Sequence, residues 1–553
     1  MLIARRGLLA AGATAVLARP AWAQSLSDGA FTHGVASGDP LPDGIILWTR
    51  FVGGDGRIAY EISEDESFTR ITVRGEARAD PATDFCAKID VRGLAPGRSY
   101  FYRFLANSGP SLTGRTRTAP LEAQSLSVGL VSCANYAFGH FHAYGHLAQR
   151  DDIDLVLHTG DYIYEYGADE YPRTELAVPG RAFDPDHEII TLNDYYTRYA
   201  QYHTDPNLQA LRAAKPISAV WDDHEIANDS TSTGAQNHQR NEGAYADRVA
   251  AATKAYFDWM PIRRPEPNGV RIYRSLEWGD LARIILIDTR LIGRIRQLDY
   301  RRNVGALRLI MDGPGTAAAV EDFRRTLLND PTRTLLGAGQ EAWVAQQLAE
   351  SKQRGQTWQI LAQQIAMGEQ LVGEGAAALV SPDAHANVRR YVTIAERLGR
   401  LRMPWNLDAW DGYPAARTRF LQACVANAAN AVILGGDSHN TWVNNLASPD
   451  EPSRMAAIEF AGASVTSPGL EQALAAGAPG AREAIMRSAN SHLAWCDVTN
   501  RGYGALRFTR AACEAEWVAF DDVRDPVAGT PSITRLSATP STSAGPGAWA
   551  LQA

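Results

Sequence analysis

The chain has 553 residues, of which 45% are hydrophobic and 21% charged, and its formal net charge is −8. This composition is typical of a soluble globular protein. The length exceeds what one hydrophobic core usually serves, so we expect two or more domains or one very large one. The lack of a basic excess argues against a nucleic-acid complex, because no surplus cations can displace counterions from a phosphate backbone. Small phosphorylated substrates are not excluded, since bound metal ions can supply positive charge.

The first 24 residues have the features of an export signal. Met1–Arg6 is short and basic, Leu8–Ala18 is apolar, and Ala21–Ala23 fits a small-x-small cleavage site. The apolar run is much shorter than the roughly 20 residues of a membrane span, so we expect no stable membrane anchor. The two arginines that end the basic stretch resemble a twin-arginine signal, with a general secretory signal as the alternative. We therefore predict a periplasmic or secreted protein with the twin-arginine export machinery as a partner.

Residues 25–120 are predicted to form an all-β N-terminal domain. Short β-type runs alternate with turns, as in Gly44–Thr49, Arg57–Ile62 and Ser99–Phe104. Several strands at this spacing, with a tryptophan on an early one, indicate a small β-sandwich.

From about Leu126 the sequence alternates short apolar strands with longer helical stretches such as Gln340–Gln353. This alternation predicts a buried α/β sheet in a catalytic domain that spans residues 121–536. The tail Ser537–Ala553 is rich in Ser, Pro, Gly and Ala, which predicts a flexible or surface-draped end. The predicted strands of the catalytic domain are Ser127–Val131, Asp154–His158, Ser218–Trp221, Arg283–Asp288, Trp358–Ala362 and Ala431–Gly435.

Polar clusters directly follow four of these strands. They contain Cys133, the run Gly160–Glu165, the run Asp222–Glu225 and the run Gly436–His439. The carboxyl ends of sheet strands are where α/β proteins build their sites. Four clusters rich in metal-ligand residue types at such positions predict a metal centre.

The residue types in these clusters suggest two different metals. Asp161 and Tyr164 lie three apart, so a tight turn can direct a carboxylate and a phenol at one point. An ion such as Fe(III) can deprotonate the phenol, and the thiolate of Cys133 would suit the same ion. Asp161 can also bridge to a second ion facing Asp223 and Asp437. Those oxygen ligands fit Ca²⁺, Mg²⁺ or Mn²⁺ better than zinc.

Each of these residues also has a structural interpretation. A single Gly-Asp after a strand is usually a turn, and a single buried cysteine is usually a small core residue. His224 and His439 would be unremarkable one at a time, but both lie beside acidic residues after separate strands. His439 can then give an imidazole to the first metal.

The motif order resembles a known superfamily. Gly-Asp-x-x-Tyr, then a strand ending in Asp-His-Glu, then Gly-Asp-x-His resembles the metallophosphoesterase series, and the tyrosine variant resembles purple acid phosphatases. The rest of the chain resembles the PhoD-like alkaline phosphatase D family, and the resemblance covers nearly the whole chain. The matching segments are FTHGVASGDP at 31–40, WDDHE at 221–225, LGAGQEAW at 336–343, WDGY at 410–413 and GGDSH at 435–439.

This resemblance implies an α/β fold with a four-layer metallophosphoesterase-like β-sandwich flanked by helices and an N-terminal immunoglobulin-like all-β domain. It also implies Fe(III) with one or two Ca²⁺ ions, and alkaline phosphomonoesterase or phosphodiesterase activity on small phosphate esters. By the same resemblance, iron would be held by Cys133, Asp161, Tyr164 and His439, and calcium by Asp161, Asp223 and Asp437.

The chain departs from the broader superfamily at three of its motif positions. Ser132–Ala134 stands where the first Asp-x-His is usual, Asp223 where an asparagine is usual, and Asp437 where a histidine is usual. The last two changes exchange amide and nitrogen ligands for harder anions, which agrees with calcium and weighs against zinc.

The expected reaction is in-line attack of a metal-held water or hydroxide on a phosphate ester. His224 is predicted to steady the transition state or to protonate the leaving oxygen. Arg198 is predicted to contact a phosphate oxygen, with an arginine on an amphipathic helix as the alternative. Two other functions compete: a phospholipase D-like phosphodiesterase, and a non-catalytic exported protein that binds phosphate or metal. The completeness of the ligand set weighs against the second.

Overall fold

The structure is a computed structural model that describes residues 26–173, 176–267, 269–303, 316–541 and 545–552. The predicted export signal, residues 1–24, lies outside these residues. Among the described helices, none combines the length and the apolar character that crossing a bilayer requires.

The N-terminal part forms two facing layers of strands. Its strands are β1 Ala30–Leu41, β2 Gly44–Val52, β3 Arg57–Ser63, β4 Ile71–Arg78, β5 Cys86–Arg92, β6 Ser99–Ala106, β7 Gly109–Pro110 and β8 Gly114–Arg117. β1, β2 and β5 pair antiparallel, while β4, β3, β6 and β7 form a second sheet with β8 on β6. Alternate residues of β6, Tyr100, Tyr102 and Phe104, are buried between the two layers. The period-two pattern of the sequence produces this packing.

The middle of the chain continues the first of these layers. It contains β9 Ser125–Val131, α1 His142–Ala148, β10 Leu155–His158, α2 Leu192–Tyr202, α3 Pro206–Ala214, β11 Pro216–Ala219 and α4 Tyr245–Trp259. β9, β10 and β11 are parallel, and β11 pairs in parallel with β1, where Ser37 lies opposite Pro216. The N-terminal sandwich therefore shares a continuous sheet with the catalytic strands, which the sequence pattern did not predict.

The remaining elements build a second large sheet and the far edge of the first. They are β12 Arg274–Trp278, β13 Ala282–Leu286, α5 Tyr300–Asn303, α6 Thr316–Phe323, α7 Gly337–Gln353, β14 Trp358–Ala362, α8 Ala386–Arg400, α9 Pro414–Asn427, β15 Ala431–Gly435, β16 Thr441–Ala447, β17 Met455–Ala461, α10 Ala481–Ala489, β18 Leu493–Asp497, β19 Arg501–Thr509, β20 Cys513–Phe520, β21 Ser532–Ala538 and β22 Ala550–Leu551. The second sheet has the order β12-β13-β14-β15-β17-β16-β18, and β13, β14, β15 and β17 are parallel. The first sheet has the order β22-β21-β20-β19-β9-β10-β11-β1-β2-β5.

The two large sheets pack face to face, with helices on their outer sides. Trp358 of β14 contacts Phe508 of β19, with ring centroids 5.7 Å apart. In β13, Ile284 belongs to the core between the sheets, whereas Ile285 belongs to a second core with α7 and α9. This double burial explains why β13, β14 and β15 are largely apolar, with Arg283 and Gln359 as the polar exceptions in the first two. The predicted mixed α/β class is confirmed.

Two expectations about element ends differ from the structure. The strand predicted at Ser218–Trp221 ends at Ala219, so Trp221 lies in the loop that carries the next acidic cluster. The tail that was predicted to be flexible or surface-draped contains β22, which pairs with β21, within its described residues. Trp549 is buried there, and its indole N–H donates to the carbonyl oxygen of Glu459 at 3.1 Å. Burial of this large side chain packs that part of the tail onto the protein.

Candidate metal centre

The site lies where the carboxyl ends of both large sheets meet. The loops after β9, β10 and β11 come from one sheet, and the loops after β13, β14 and β15 come from the other. Ser132, just after β9, forms a parallel bridge with Ser464, just after β17, and so joins the two sets of loops. Side chains that are distant in the sequence are thereby brought to one pocket of about 320 Å³.

The pocket brings together most of the predicted ligands. The potential ligand atoms of Cys133, Asp161 and His439 all lie within 4.8 Å of one another, and the same holds for Asp161, Asp223 and His224. A third such group combines Asp223 and Asp437 with Asp222. Asp161 and Asp223 each belong to more than one group, which is the arrangement that bridging ligands require.

Tyr164 joins the first of these groups. Its hydroxyl oxygen lies 3.1 Å from Asp161 Oδ2, 3.2 Å from His439 Nε2 and 2.5 Å from Ser467 Oγ. His439 Nδ1 lies 2.9 Å from the carbonyl oxygen of Pro468, which orients the ring so that Nε2 faces the cluster. A backbone acceptor behind a histidine ring is the usual way in which proteins orient a metal-binding imidazole.

The backbone is held in the left-handed region at four of the predicted ligands. The φ angles are 55° at Cys133 and Asp161, 59° at Asp437 and 57° at His439. This region is costly for residues with a Cβ atom and is enriched at functional sites. Gly160 has a φ of 103°, and a Cβ atom there would lie 2.4 Å from the Asp222 side chain. The β10 and β11 loops can approach this closely only because residue 160 is glycine.

Glu225 fastens the same two loops together. Its carboxylate is buried and accepts hydrogen bonds from the backbone N–H groups of Asp161 at 3.0 Å, Tyr162 at 2.6 Å and Asp222 at 2.8 Å. One side chain therefore sets the distance between the loops that carry Asp161 and Asp223.

His224 lies in the pocket, paired with Glu165. Its Nδ1 lies 2.7 Å from Glu165 Oε2, and its ring packs on Tyr164 with centroids 4.2 Å apart. Glu165 is fully buried, and its other oxygen accepts from the backbone N–H of Asn228 at 2.7 Å. Burial alone would lower the pKa of His224, but Asp161 and the other nearby carboxylates outweigh it and raise that pKa well above its usual range. The remaining ring nitrogen, Nε2, is the one available to a ligand.

The cluster is strongly anionic and buried. Burial raises the pKa of Asp161 and of Asp437 well above their usual range. Neighbouring carboxylates add to this rise, while His224 opposes it at Asp161 and Arg290 opposes it at Asp437. Asp161 Oδ1 is buried and has no hydrogen-bond partner among the described residues. An isolated buried carboxylate oxygen is costly unless it is paired or bound to a cation. These donors therefore suit hard or trivalent metal ions.

Arg290 partly balances this charge. Its guanidinium is fully buried, pairs with Asp222, lies 2.8 Å from Asp408 and lies 3.2 Å from Asp437. Burial by itself would raise the pKa of Asp223, but Arg290 and His224 outweigh it and lower that pKa. The region around Asp223 and Asp437 is thus a network of arginines and carboxylates in which the carboxylates are more numerous.

Arg198 is not brought to the pocket. It is fully buried on α2, and its three guanidinium nitrogens donate to the backbone carbonyl oxygens of Asp184, Pro185 and Tyr164. Its guanidinium also lies 4.3 Å from the centre of the Phe183 ring. With these donors engaged, Arg198 braces the loop that carries Tyr164 and does not line the pocket.

Several residues of the site were not singled out from the sequence. Glu165 and Glu225 lie inside the motif runs, and Arg290 follows a predicted strand, so strand-end position was a usable signal for all three. Gln370 had no such signal. It lines the pocket, and neither atom of its buried amide has a hydrogen-bond partner among the described residues.

Two more acidic residues extend the centre. Asp229 and Asp408 form a further group with Asp223 whose carboxylate oxygens lie within 4.8 Å of one another. Asp229 follows the motif run Asp222–Glu225 by four residues, whereas Asp408 lies in a loop far from any predicted strand end, so the sequence pattern did not indicate Asp408.

Comparison with known proteins agrees with this geometry. The family model for PhoD-like phosphatase matches residues 127–517, and the model for its N-terminal domain matches residues 16–120. The chain belongs to the PhoD-like phosphatase family. Alkaline phosphatase D of Bacillus subtilis (strain 168) is 34% identical over 467 residues, which cover 81% of this chain and 71% of that protein.

A solved structure of PhoD shares the fold of this PhoD-like chain. It superimposes with a TM-score of 0.75 at 29% sequence identity, covering 95% of this chain and 92% of the other. Membership of the family confirms the resemblance found in the sequence. It also confirms the predicted reaction class, hydrolysis of phosphoric esters.

Proposed function

We propose that this PhoD-like chain hydrolyses small phosphate esters at a centre of iron and calcium ions. The observation that carries the proposal is the position of Asp161. Its carboxylate is buried, belongs to two groups of potential ligands, and has one oxygen without a partner among the described residues. A buried carboxylate of this kind is suited to bridge two cations.

The donor set divides by chemical type. A thiol, a phenol and an imidazole lie on one side of Asp161, which suits Fe(III). Carboxylates lie on the other side, which suits one or two Ca²⁺ ions. Iron would be held by Cys133, Asp161, Tyr164 and His439, and calcium by Asp161, Asp223 and Asp437. When bound, such ions neutralise charge on the phosphoryl group and supply a hydroxide nucleophile near neutral pH.

The protein's own groups then orient the substrate and move one proton. His224, held through Nδ1 by Glu165, presents Nε2 to the pocket and is suited to protonate the leaving oxygen. Arg290 pairs with Asp437 of the second metal position and with the neighbouring Asp222 and Asp408. Glu225 joins the loops that carry Asp161 and Asp223. Arg198 acts on the reaction only through the Tyr164 loop.

Removal and return of metal test this function. We expect a chelator to abolish turnover of p-nitrophenyl phosphate and of its bis ester, and added Ca²⁺ to restore it, because anionic oxygen ligands prefer hard divalent ions. The ratio of the two rates shows whether the phosphomonoesterase or the phosphodiesterase activity dominates. Restoration by Zn²⁺ but not by Ca²⁺ would contradict the calcium assignment. Metal-loaded protein without turnover on either ester would favour a binding protein.

Substitution of Tyr164 by phenylalanine tests for iron. A tyrosinate or thiolate bound to Fe(III) gives a visible charge-transfer band, so the purified protein should be coloured. We expect Tyr164→Phe to weaken or shift that band while circular dichroism is unchanged, because only the buried hydroxyl is removed. A colourless protein without iron that is fully active would remove iron from the proposal.

The finer predictions of the sequence are part of the same proposal. We propose that the two large sheets and their outer helices form the four-layer metallophosphoesterase architecture, and that the N-terminal sandwich is its immunoglobulin-like module. We also propose that residues 1–24 direct export through the twin-arginine machinery to the periplasm or the medium. A fusion of these residues to a reporter that is active only after twin-arginine export would test this, with the two arginines changed to lysine as the control.

A further inference from the structure

A second and larger cleft opens beside the metal pocket. Its volume is about 650 Å³, twice that of the metal pocket, and it lies within the range of small-molecule sites. Four residues line both cavities: Asp229, Trp405, Asn406 and Asp408. The two cavities are therefore neighbours, and a substrate whose phosphoryl group lies in the first can extend into the second.

The cleft carries two arginines, Arg296 and Arg302, whose guanidinium groups are unpaired among the residues that the structure describes. Both residues are exposed and line the cleft. Three acidic residues, Asp229, Asp299 and Asp408, also line the cleft, and Asp408 is paired with the buried Arg290 and Arg294. The charge of Asp408 is thus already neutralised by arginines that do not line the cleft.

The other walls are suited to hold an organic group. Tyr245 and Tyr300 line the cleft, and their hydroxyls donate to the carbonyl oxygens of Thr231 at 3.0 Å and Pro404 at 2.6 Å. Both side chains are half-buried and anchored, so their positions are set before a ligand arrives. Trp405 lies at the boundary with the metal pocket and packs against Tyr391, with ring centroids 6.0 Å apart. Anchored aromatic rings bind organic groups with little loss of conformational entropy.

We propose that this cleft binds the alcohol part of the substrate, and that Arg296 and Arg302 recognise a second anionic group on it. The inference rests on the proposed function and names its substrate class: phosphate esters whose leaving alcohol carries another phosphate or a carboxylate. In the reaction, water oxygen forms a bond to phosphorus and the phosphorus–oxygen ester bond breaks. The alkoxide takes a proton and leaves with its second anionic group unchanged. Arginine is suited to both anions because its donors form a planar fork.

Matched substrates test this proposal with the metal-loaded full-length protein. We would compare kcat/KM for hexyl phosphate, for hexane diol bisphosphate and for the phosphate ester of hydroxyhexanoate. We expect kcat/KM for the two substrates with a second anion to exceed that for hexyl phosphate by about tenfold or more. This is larger than the twofold advantage that the bisphosphate has from its two equivalent ends. An advantage for the bisphosphate alone would assign the cleft to phosphate, and equal advantages would assign it to anions in general.

Variants of the two arginines locate the effect. We expect Arg296→Ala and Arg302→Ala each to lower kcat/KM about fivefold for the two doubly anionic substrates and to leave hexyl phosphate unchanged. The double variant should lose the preference for the two doubly anionic substrates over hexyl phosphate. The matched control is Arg98→Ala, which removes an exposed arginine just before β6 and should change nothing. Equal kcat/KM for all three substrates, or a preference that survives in the double variant, would overturn the proposal.

Failure of the proposed function would look different. In that case the metal-loaded protein hydrolyses neither hexyl phosphate nor p-nitrophenyl phosphate. Calorimetric binding of hexane diol bisphosphate then tests the cleft by itself. Binding that weakens at least tenfold in the double variant supports the cleft, and binding that is absent or unaffected overturns it.

Discussion

Asp161→Asn should abolish turnover. The substitution keeps the size of the side chain and removes the negative charge from the one carboxylate that belongs to both the Cys133–His439 group and the Asp223–His224 group. Loss of a single preorganised charge-stabilising contact costs about 10²–10³-fold in kcat. Because both proposed metal positions share Asp161, we expect a loss of about 10³-fold or more, together with loss of bound metal. The measurement is kcat on p-nitrophenyl phosphate with metal analysis of the same sample.

The control for this variant is Asp151→Asn. Asp151 has a largely exposed side chain, at 87%, and among the described residues it pairs only with Arg115 at the surface, so its variant should retain full activity and metal. Turnover of the Asp161 variant at even a tenth of the parent rate, at matched metal loading, would contradict the shared-ligand assignment.

His224→Ala should lower turnover strongly while metal content stays near normal. Removal of a general acid typically costs about 10²–10⁴-fold. The loss should be larger for glycerol phosphate, whose alkoxide needs a proton, than for p-nitrophenyl phosphate, whose leaving group needs little protonation. Rates on both substrates and metal content, measured on the same preparations, check this prediction.

Glu165→Gln provides a second arm of this experiment. The variant keeps a hydrogen-bond acceptor for His224 Nδ1 but removes the charge that stabilises the protonated ring, so the same leaving-group dependence should appear in weaker form. His187→Ala is the control, because that histidine is exposed and its ion-pair contacts within the described chain are long ones to Asp186 and Asp194. If metal is lost in step with activity, His224 is a ligand. Equal rate losses on both substrates would exclude general acid catalysis and leave stabilisation of transition-state charge as the role of His224.

The ligand types and their positions along the chain could be predicted from the sequence. Short apolar runs bounded by polar clusters depend on local burial patterns, so β9, β10, β14 and β15 lie close to their predicted bounds. The turn that brings Asp161 and Tyr164 together is also local, since the two residues are three apart. These features depend only on residues that are close together along the chain, and a sequence pattern shows those residues directly.

The contacts that decide the roles of other residues come from distant segments. Arg198 looked suited to a phosphate, but the loop at Asp184 and Pro185 folds back to occupy its guanidinium. Arg290 became part of the site because the carboxyl ends of two sheets face each other there. The pairing of β1 with β11, which extends the first sheet, also depends on contacts between segments that are distant in the sequence.

The sequence by itself therefore determined the family, the mixed α/β class and the set of metal-ligand residue types at the strand ends. Only the tertiary structure decided which charged groups face the pocket, how Glu225 joins two loops, and where the second cleft opens. The physical reason is that a periodic pattern reports whether a side chain is buried, whereas electrostatic pairing depends on which other segment packs against it. That choice is made by the long-range packing of the two sheets.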